Sequence, residues 1–294
     1  MEKLGKNRLW SFVDRKANAT RIEKATEITA SKGHRVENYL ELARKVAELQ
    51  FLNPAHVLLF RGQSIDHKNR AGNSTIKPTI FRAVPSEPTK LRSNPPPDGV
   101  VIDRFERLRR AENLFLERYE AAGWREWSRV KRQRILRWAV LQHYEVCGTP
   151  LLDVTQSLRI AASFASFRET EEAFLYVLAV PNISGSVTAS IESGVQVLRL
   201  ASVCPPSAIR PHVQEGYLIG EYPDLVDFNQ KALYPHDEID FGRRLIAKFR
   251  FCPQTFWKAN DPFPKIPYNA LYPSSTDDPL QTIADGIKSD IKQP

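Results

Sequence analysis

The chain has 294 residues, 42% hydrophobic and 26% charged, values of an ordinary globular protein long enough for a substantial core. Its formal net charge of +8 favours phosphate-bearing partners such as nucleic acid or phosphorylated cofactors, without specifying a fold. No apolar run reaches the roughly 20 residues of a membrane span, and the charged start Met1–Lys6 leads into no secretory h-region. Cys147, Cys204 and Cys252 are widely spaced and fit neither a disulfide framework nor a zinc knuckle, so a reducing cytoplasm is the expected setting.

Residues 1–35 are polar and basic apart from Leu9-Trp10 and Phe12-Val13, and read as an N-terminal extension with a short helix. One domain is expected over 36–290. The spacing of Val36, Leu40, Ala43, Val46, Ala47 and Leu49 predicts a helix that stops at Asn53-Pro54. His56–Phe60 is a buried-strand candidate running into Arg61-Gly62-Gln63. Prolines at 85, 88, 95, 96 and 97 mark 85–98 as a surface loop. From Val101 to Tyr144 only Gly123 interrupts a helical pattern, which predicts two helices. Strands are expected at 151–154, 174–180, 195–200 and 245–251, with a helix at 157–167. Helices before Tyr144 and strands after Leu151 predict an α+β fold, the helical half packed on a mostly antiparallel sheet.

Three constellations carry chemistry. Arg61-Gly62-Gln63 at a strand end can present a guanidinium to a phosphate, with Gly62 letting backbone approach a ligand; taken alone it reads as a salt-bridged strand end. Gln142-His143-Tyr144, followed by Leu151-Leu152-Asp153-Val154-Thr155, places a histidine at a helix end and an aspartate and a threonine at a strand end. Capping of the neighbouring helices accounts for Asp153 and Thr155 equally well. Arg210–Tyr217 offers an amide, a carboxylate and a glycine, and alone reads as an exposed turn. Arg104 to Arg137 is arginine-rich and interleaved with Trp124 and Trp127. It is read either as a single-strand binding surface or as a solvated helix paired with its own glutamates, among them Glu106 and Glu112. A Gly-rich phosphate loop, a metal-ligand cluster and a nucleophile elbow find no match in the sequence.

In this order the segments resemble the FRG domain, which carries Arg-Gly-Gln, then Gln-His-Tyr-Gly, Thr-Arg-Leu-Leu-Asp-Trp-Thr, an alanine-rich helix ending in Phe-Ala, a strand, and Gln-x-Gly. Here they stand as Arg61-Gly62-Gln63, Gln142-His143-Tyr144, Leu151–Thr155, Ala161–Ala165, Phe174–Val180 and Gln214-Glu215-Gly216. Departures are the extra residues Glu145–Cys147, Pro150 in place of arginine and Val154 in place of tryptophan.

The FRG pattern is in turn similar in layout to ADP-ribosyltransferases, which implies a split sheet and NAD as substrate. The implied roles are Arg61 as diphosphate clamp with Gly62 and Gln63 beside it, and His143 on a ribose hydroxyl. Tyr144 or Phe164 would wall the pocket, with Asp153 and Thr155 at its mouth. Catalysis would fall to His143 and to Gln214 or Glu215. Adjacent residues of a strand face opposite ways, so Gln214 inward implies Glu215 outward, with Asp153 as the other available carboxylate. The implied activity is transfer of ADP-ribose to a nucleic acid or protein, in a toxin or antiphage effector with an antitoxin or immunity protein as a further partner. The alternatives are NAD hydrolysis and a catalytically silent nucleic-acid-binding or ligand-sensing module. The nucleic acid would lie on the helix 104–137.

Overall fold

The computed structural model describes residues 9–13, 18–22, 24–83, 95–124, 127–168, 170–257 and 262–292. Most of the loop expected at 85–98, together with residues 1–8 and Arg125, lies outside them. An antiparallel pair, β1 (Leu9–Ser11) and β2 (Thr20–Ile22), precedes α1 (Ala25–Ala30) and the two-residue β3 (His34–Arg35). Helix α2 (Tyr39–Leu52) starts where the Asn38 side chain accepts a hydrogen bond from the Glu41 amide and stops before Pro54. Strand β4 (Val57–Gln63) ends in the Arg61-Gly62-Gln63 segment, as the sequence predicts. The stretch expected as two helices forms three: α3 (Asp98–Ala121), α4 (Trp127–Arg132) and α5 (Arg134–His143).

Then come β5 (Leu152–Thr155), α6 (Leu158–Ala165), β6 (Ala173–Val180), β7 (Val187–Ser190) and β8 (Val195–Arg199). Two short helices, α7 (Leu200–Val203) and α8 (Ile209–Val213), lead into β9 (Gly216–Glu221). The chain closes with α9 (Phe228–Ala232), β10 (Leu245–Phe251), α10 (Pro253–Phe256), α11 (Tyr268–Leu271) and α12 (Pro279–Asp290). The fold is α+β.

Eight strands form one sheet in the order β3-β10-β6-β4-β5-β9-β8-β7, antiparallel throughout except for the β10–β3 pair. All eight residues of β6 are buried because both of its faces are covered. Leu175, Val177 and Ala179 meet α2 and α6 on one side, while Phe174, Tyr176, Leu178 and Val180 join the core of the other side. Over the β9–β8 half, Leu198 and Leu218 pack under α3, α5 and α12. The residues expected as an N-terminal extension contribute Leu9, Phe12, Ile22 and Ile28 to these cores and pair β3 with β10.

The sheet is narrowest in its middle. Strand β4 meets β6 along seven residue pairs, yet meets β5 at the single pair Phe60↔Thr155. Helix α6 lies over that seam, touching β4, β5 and β6. A cavity opens at this seam, lined by residues of β4, β5 and α6.

Candidate functional site

The cavity measures about 770 Å³ and is lined from both half-sheets. Arg61 arrives on β4, Asp153 on β5, His143 at the last residue of α5 and Phe164 on α6. Arg61 bridges the seam: its Nη1 donates to the Asp153 carbonyl oxygen at 2.5 Å, in place of a ladder hydrogen bond.

The Asp153 carboxylate is held from two sides. Gln142 Nε2 donates to Oδ2 at 2.7 Å and His143 Nδ1 lies 3.3 Å from Oδ1, while 35% of the side chain remains exposed, toward the cavity. Burial pushes this carboxyl up, but the hydrogen bond of His143, the charge of Arg61 and the hydrogen bond of Gln142 outweigh it and hold Asp153 below the usual carboxylate range. Burial drives His143 the other way and lowers its affinity for a proton, so the neutral ring carries its hydrogen on Nδ1, aimed at Asp153. Gln142 also anchors the connection behind the pair, its Oε1 accepting from the Thr149 hydroxyl at 2.8 Å. Asp153 sits within β5, and neither it nor Thr155 caps α6, which has no side-chain cap; the Thr155 hydroxyl instead accepts from the amide of Ser157, the residue before the helix, at 3.0 Å.

Beside this acid floor lies a cationic flank. Burial, and then the charge of Arg61, lowers the Arg82 pKa to about 10, with Asp153 opposing. Burial likewise lowers Arg61. His67 is pushed down by burial and by the charges of Arg82, Arg61 and Arg168, against the pull of Asp66, so the field here is positive on balance. Arg61 Nε and Gln63 Oε1 are buried with no hydrogen-bond partner among the described residues. Unpaired buried polar atoms on a cavity wall are disfavoured unless a ligand or solvent meets them.

The opposite wall is aromatic. Tyr272 stacks on Tyr268 with ring centres 4.4 Å apart, and Phe164 and Phe167 meet these two rings edge to face. Two bonds hold the segment bearing the tyrosines: the Ile266 amide donates to Ser163 Oγ at 3.0 Å, and Gln214 Nε2 donates to the Leu271 carbonyl at 2.7 Å.

The structure thus brings Arg61, Gly62, Gln63, His143, Asp153, Thr155, Phe164 and Gln214 to one cavity. Two expected residues are not in its lining. Tyr144 is buried behind His143, its hydroxyl donating to Asp278 Oδ2 at 2.8 Å. Glu215 is exposed outside it. The expected opposition of Gln214 and Glu215 is present, but its cause is different: the pair lies in a turn between α8 and β9, with Glu215 at φ +44°. Arg210 to Tyr217 is therefore a turn only at Gln214-Glu215, exposed at Glu215, between a helix and the start of a buried strand. Gly62 serves packing, since its backbone presses on α6. The Thr155 hydroxyl is occupied by the carbonyls of Gln214 and Glu215 at 2.9 and 3.1 Å. Sequence reasoning did not single out Gln142, Arg82, Arg168, Arg210, Tyr268 or Tyr272 for the site. Gln142 and Arg210 nevertheless carried a signal, since they open the second and third constellations of the sequence.

The arginine-rich stretch is divided in its commitments. Arg137 and Arg134 pair with the buried Glu112, at 3.0 and 3.3 Å, and Arg118 with Asp290. Arg104 Nη1 donates to the Ile80 and Arg82 carbonyls at 2.8 and 2.6 Å, behind the cationic flank. Arg107, Arg109 and Arg110 are exposed.

Residues 56–173 match the model of the FRG domain. No curated protein and no solved structure matches the chain. The FRG likeness accordingly covers Arg61, His143, Asp153 and Phe164, and stops short of Arg210, Gln214, Tyr268 and Tyr272. Among the described residues no helix is long and apolar enough to cross a membrane, and no three His, Cys, Asp or Glu side chains gather as metal ligands.

Proposed function

We propose that the cavity binds NAD and that the protein is an ADP-ribosyltransferase-like enzyme, which cleaves the nicotinamide–ribose bond and passes ADP-ribose to a nucleic acid or protein. The observation that carries this reading is the meeting, in one space, of an ionised carboxylate (Asp153) and two half-buried arginines, Arg61 and Arg82, with a buried, unpaired Nε on Arg61. A dinucleotide has the matching parts: a diphosphate for Arg61 and Arg82, and a sugar that becomes cationic in the transition state.

When the C1′–N bond breaks, its electron pair returns to the pyridinium ring, so nicotinamide leaves neutral and the ribose carbon takes the positive charge. Asp153 is the group to stabilise that charge and then to accept the proton of the attacking acceptor. His143 and Gln142 keep the carboxylate ionised and aimed. This assigns to Asp153 the part that sequence comparison offered to Gln214 or Glu215, because Glu215 lies outside the cavity and the Gln214 amide is engaged with Leu271. The position of Glu215 also favours one alternative, a silent nucleotide-binding module with the same cleft. A toxin or antiphage role, with an antitoxin or immunity protein as partner, is the biological setting we propose for the transferase.

The test is incubation of the purified chain with labelled NAD, alone and with single-stranded DNA, RNA or cell lysate. Nicotinamide release with label on one polymer is the expected result. Release without transfer makes the protein an NAD hydrolase, and binding without release makes it the silent module. Absence of NAD binding by calorimetry removes the proposal.

A further inference from the structure

From the nucleotide reading of this cavity, which it extends, we infer a second recognition element at the mouth: Tyr268 is a stacking platform for a nucleobase. The inference rests on a continuous column of planar groups. Tyr144 is fully buried, and the Arg210 guanidinium carbon lies 5.5 Å from its ring centre. The same guanidinium carbon lies 4.5 Å from the Tyr272 ring centre. Tyr272 in turn stacks on Tyr268, with 16° between the ring planes. The column therefore runs from the core to the surface and ends on a ring that is 58% exposed.

Each lower member is fixed. Tyr144 is tied to Asp278, whose carboxylate also accepts from the Arg210 amide at 2.9 Å and caps α12. Arg210 Nη2 pairs with Glu145 at 2.7 Å. Tyr268 itself is braced on one side by Phe167, at 5.2 Å and 74°. A rigid, exposed aromatic ring loses little entropy on binding, and its position at the rim of an arginine-lined cavity sets the chemistry of what it receives. The ligand has to be planar and attached to a phosphate-bearing chain, which describes a nucleobase. Two sources supply one: the adenine of a dinucleotide lying in the cavity, or an unpaired base of a strand crossing its mouth.

The experiment measures binding of AMP, ribose 5-phosphate and NAD to the wild-type chain and to Tyr268→Ala and Tyr268→Phe, together with the fluorescence of a single-stranded oligonucleotide carrying 2-aminopurine. Tyr268→Ala is expected to weaken AMP by about tenfold, the scale of one base–aromatic stack, and to leave ribose 5-phosphate unchanged, while Tyr268→Phe restores AMP binding. Tyr268-dependent quenching of 2-aminopurine assigns the platform to a strand; Tyr268-dependent binding of AMP and NAD without that quenching assigns it to the dinucleotide. Equal weakening of AMP and ribose 5-phosphate overturns the inference, because Tyr268 would then act only through Tyr272 and Arg210. Unchanged affinity for every base-bearing probe also overturns it, with NAD binding left intact as evidence that the cavity reading survives. Tyr268-dependent quenching in a protein that does not bind NAD has the opposite meaning and removes the dinucleotide reading alone. If no probe binds the wild-type chain, both fall.

Discussion

The backbone of Gly62 runs so close to Ala161 that a Cβ at position 62 would lie 1.8 Å from the Ala161 carbonyl oxygen. Because that oxygen belongs to the backbone of α6, it cannot turn aside as a side chain would. The glycine of the Arg-Gly-Gln segment is thus a packing requirement that lets α6 cover the seam. Gly62→Ala should lower stability by about 3 kcal/mol, the upper range of overpacking, read as a shifted urea midpoint. A change within about 0.5 kcal/mol would mean that α6 moves freely.

Asp153→Asn separates binding from chemistry. The asparagine is isosteric, but it cannot carry the negative charge that faces the ribose. Nicotinamide release should fall by roughly 10² to 10⁴, the usual contribution of a positioned base, while calorimetry still detects NAD. Binding lost together with release would make Asp153 part of the scaffold only.

Acid should weaken the fold in two stages. Burial depresses His143, so below its ordinary value of 6.5 the unfolded chain takes up a proton that the folded chain refuses, and stability falls. Asp153 is held below its ordinary 3.8, so its contribution is present at higher pH and goes only as pH drops through that lower, native value. His143→Gln should be less stable at neutral pH yet show a flatter decline just below pH 6.5, followed by thermal unfolding at a series of pH values. An unaltered slope would assign the first stage to another group.

Arginines of the helical stretch should divide into two classes. Glu112 is 6% exposed and Arg137 8%, so Glu112→Ala leaves a buried cation and should cost about 3–5 kcal/mol in denaturant. Arg107→Glu and Arg110→Glu should alter stability by less than about 0.5 kcal/mol. If an acceptor strand follows α3, the same two reversals weaken its binding and flatten the dependence on salt. Unchanged binding would take α3 out of the interface.

The sequence revealed elements whose own residues dictate them. Strand β6 is a continuous apolar run because both of its faces are covered, β10 alternates around Lys248 and Arg250, and the α2 boundary follows from Asn53-Pro54. Strand β9 was hidden because Gly-Tyr-Leu-Ile-Gly-Glu looks like a loop; its burial comes from β5 and β8 on either side, and from Arg243, which neutralises Glu221 through two bonds of 2.6 and 2.7 Å. Helix α12 did leave a signal, Asp278 before Pro279 with Leu280, Ala284 and Ile287 at helical spacing. At the site, His143 and Asp153 were legible through their motif. Arg82 and Tyr268 reach the cavity only through long-range packing, and no local pattern marks them.

A sheet joined at its centre by one residue pair has far fewer ladder links between its halves than within them. The width of the cleft is then governed by few links, chief among them the Arg61 to Asp153 bond and the span of α6. Anything gripping Arg61 and Asp153 together would act as a rivet, adding a link where the two halves of the sheet share the fewest, so occupancy of the site bears on how the whole sheet is held together.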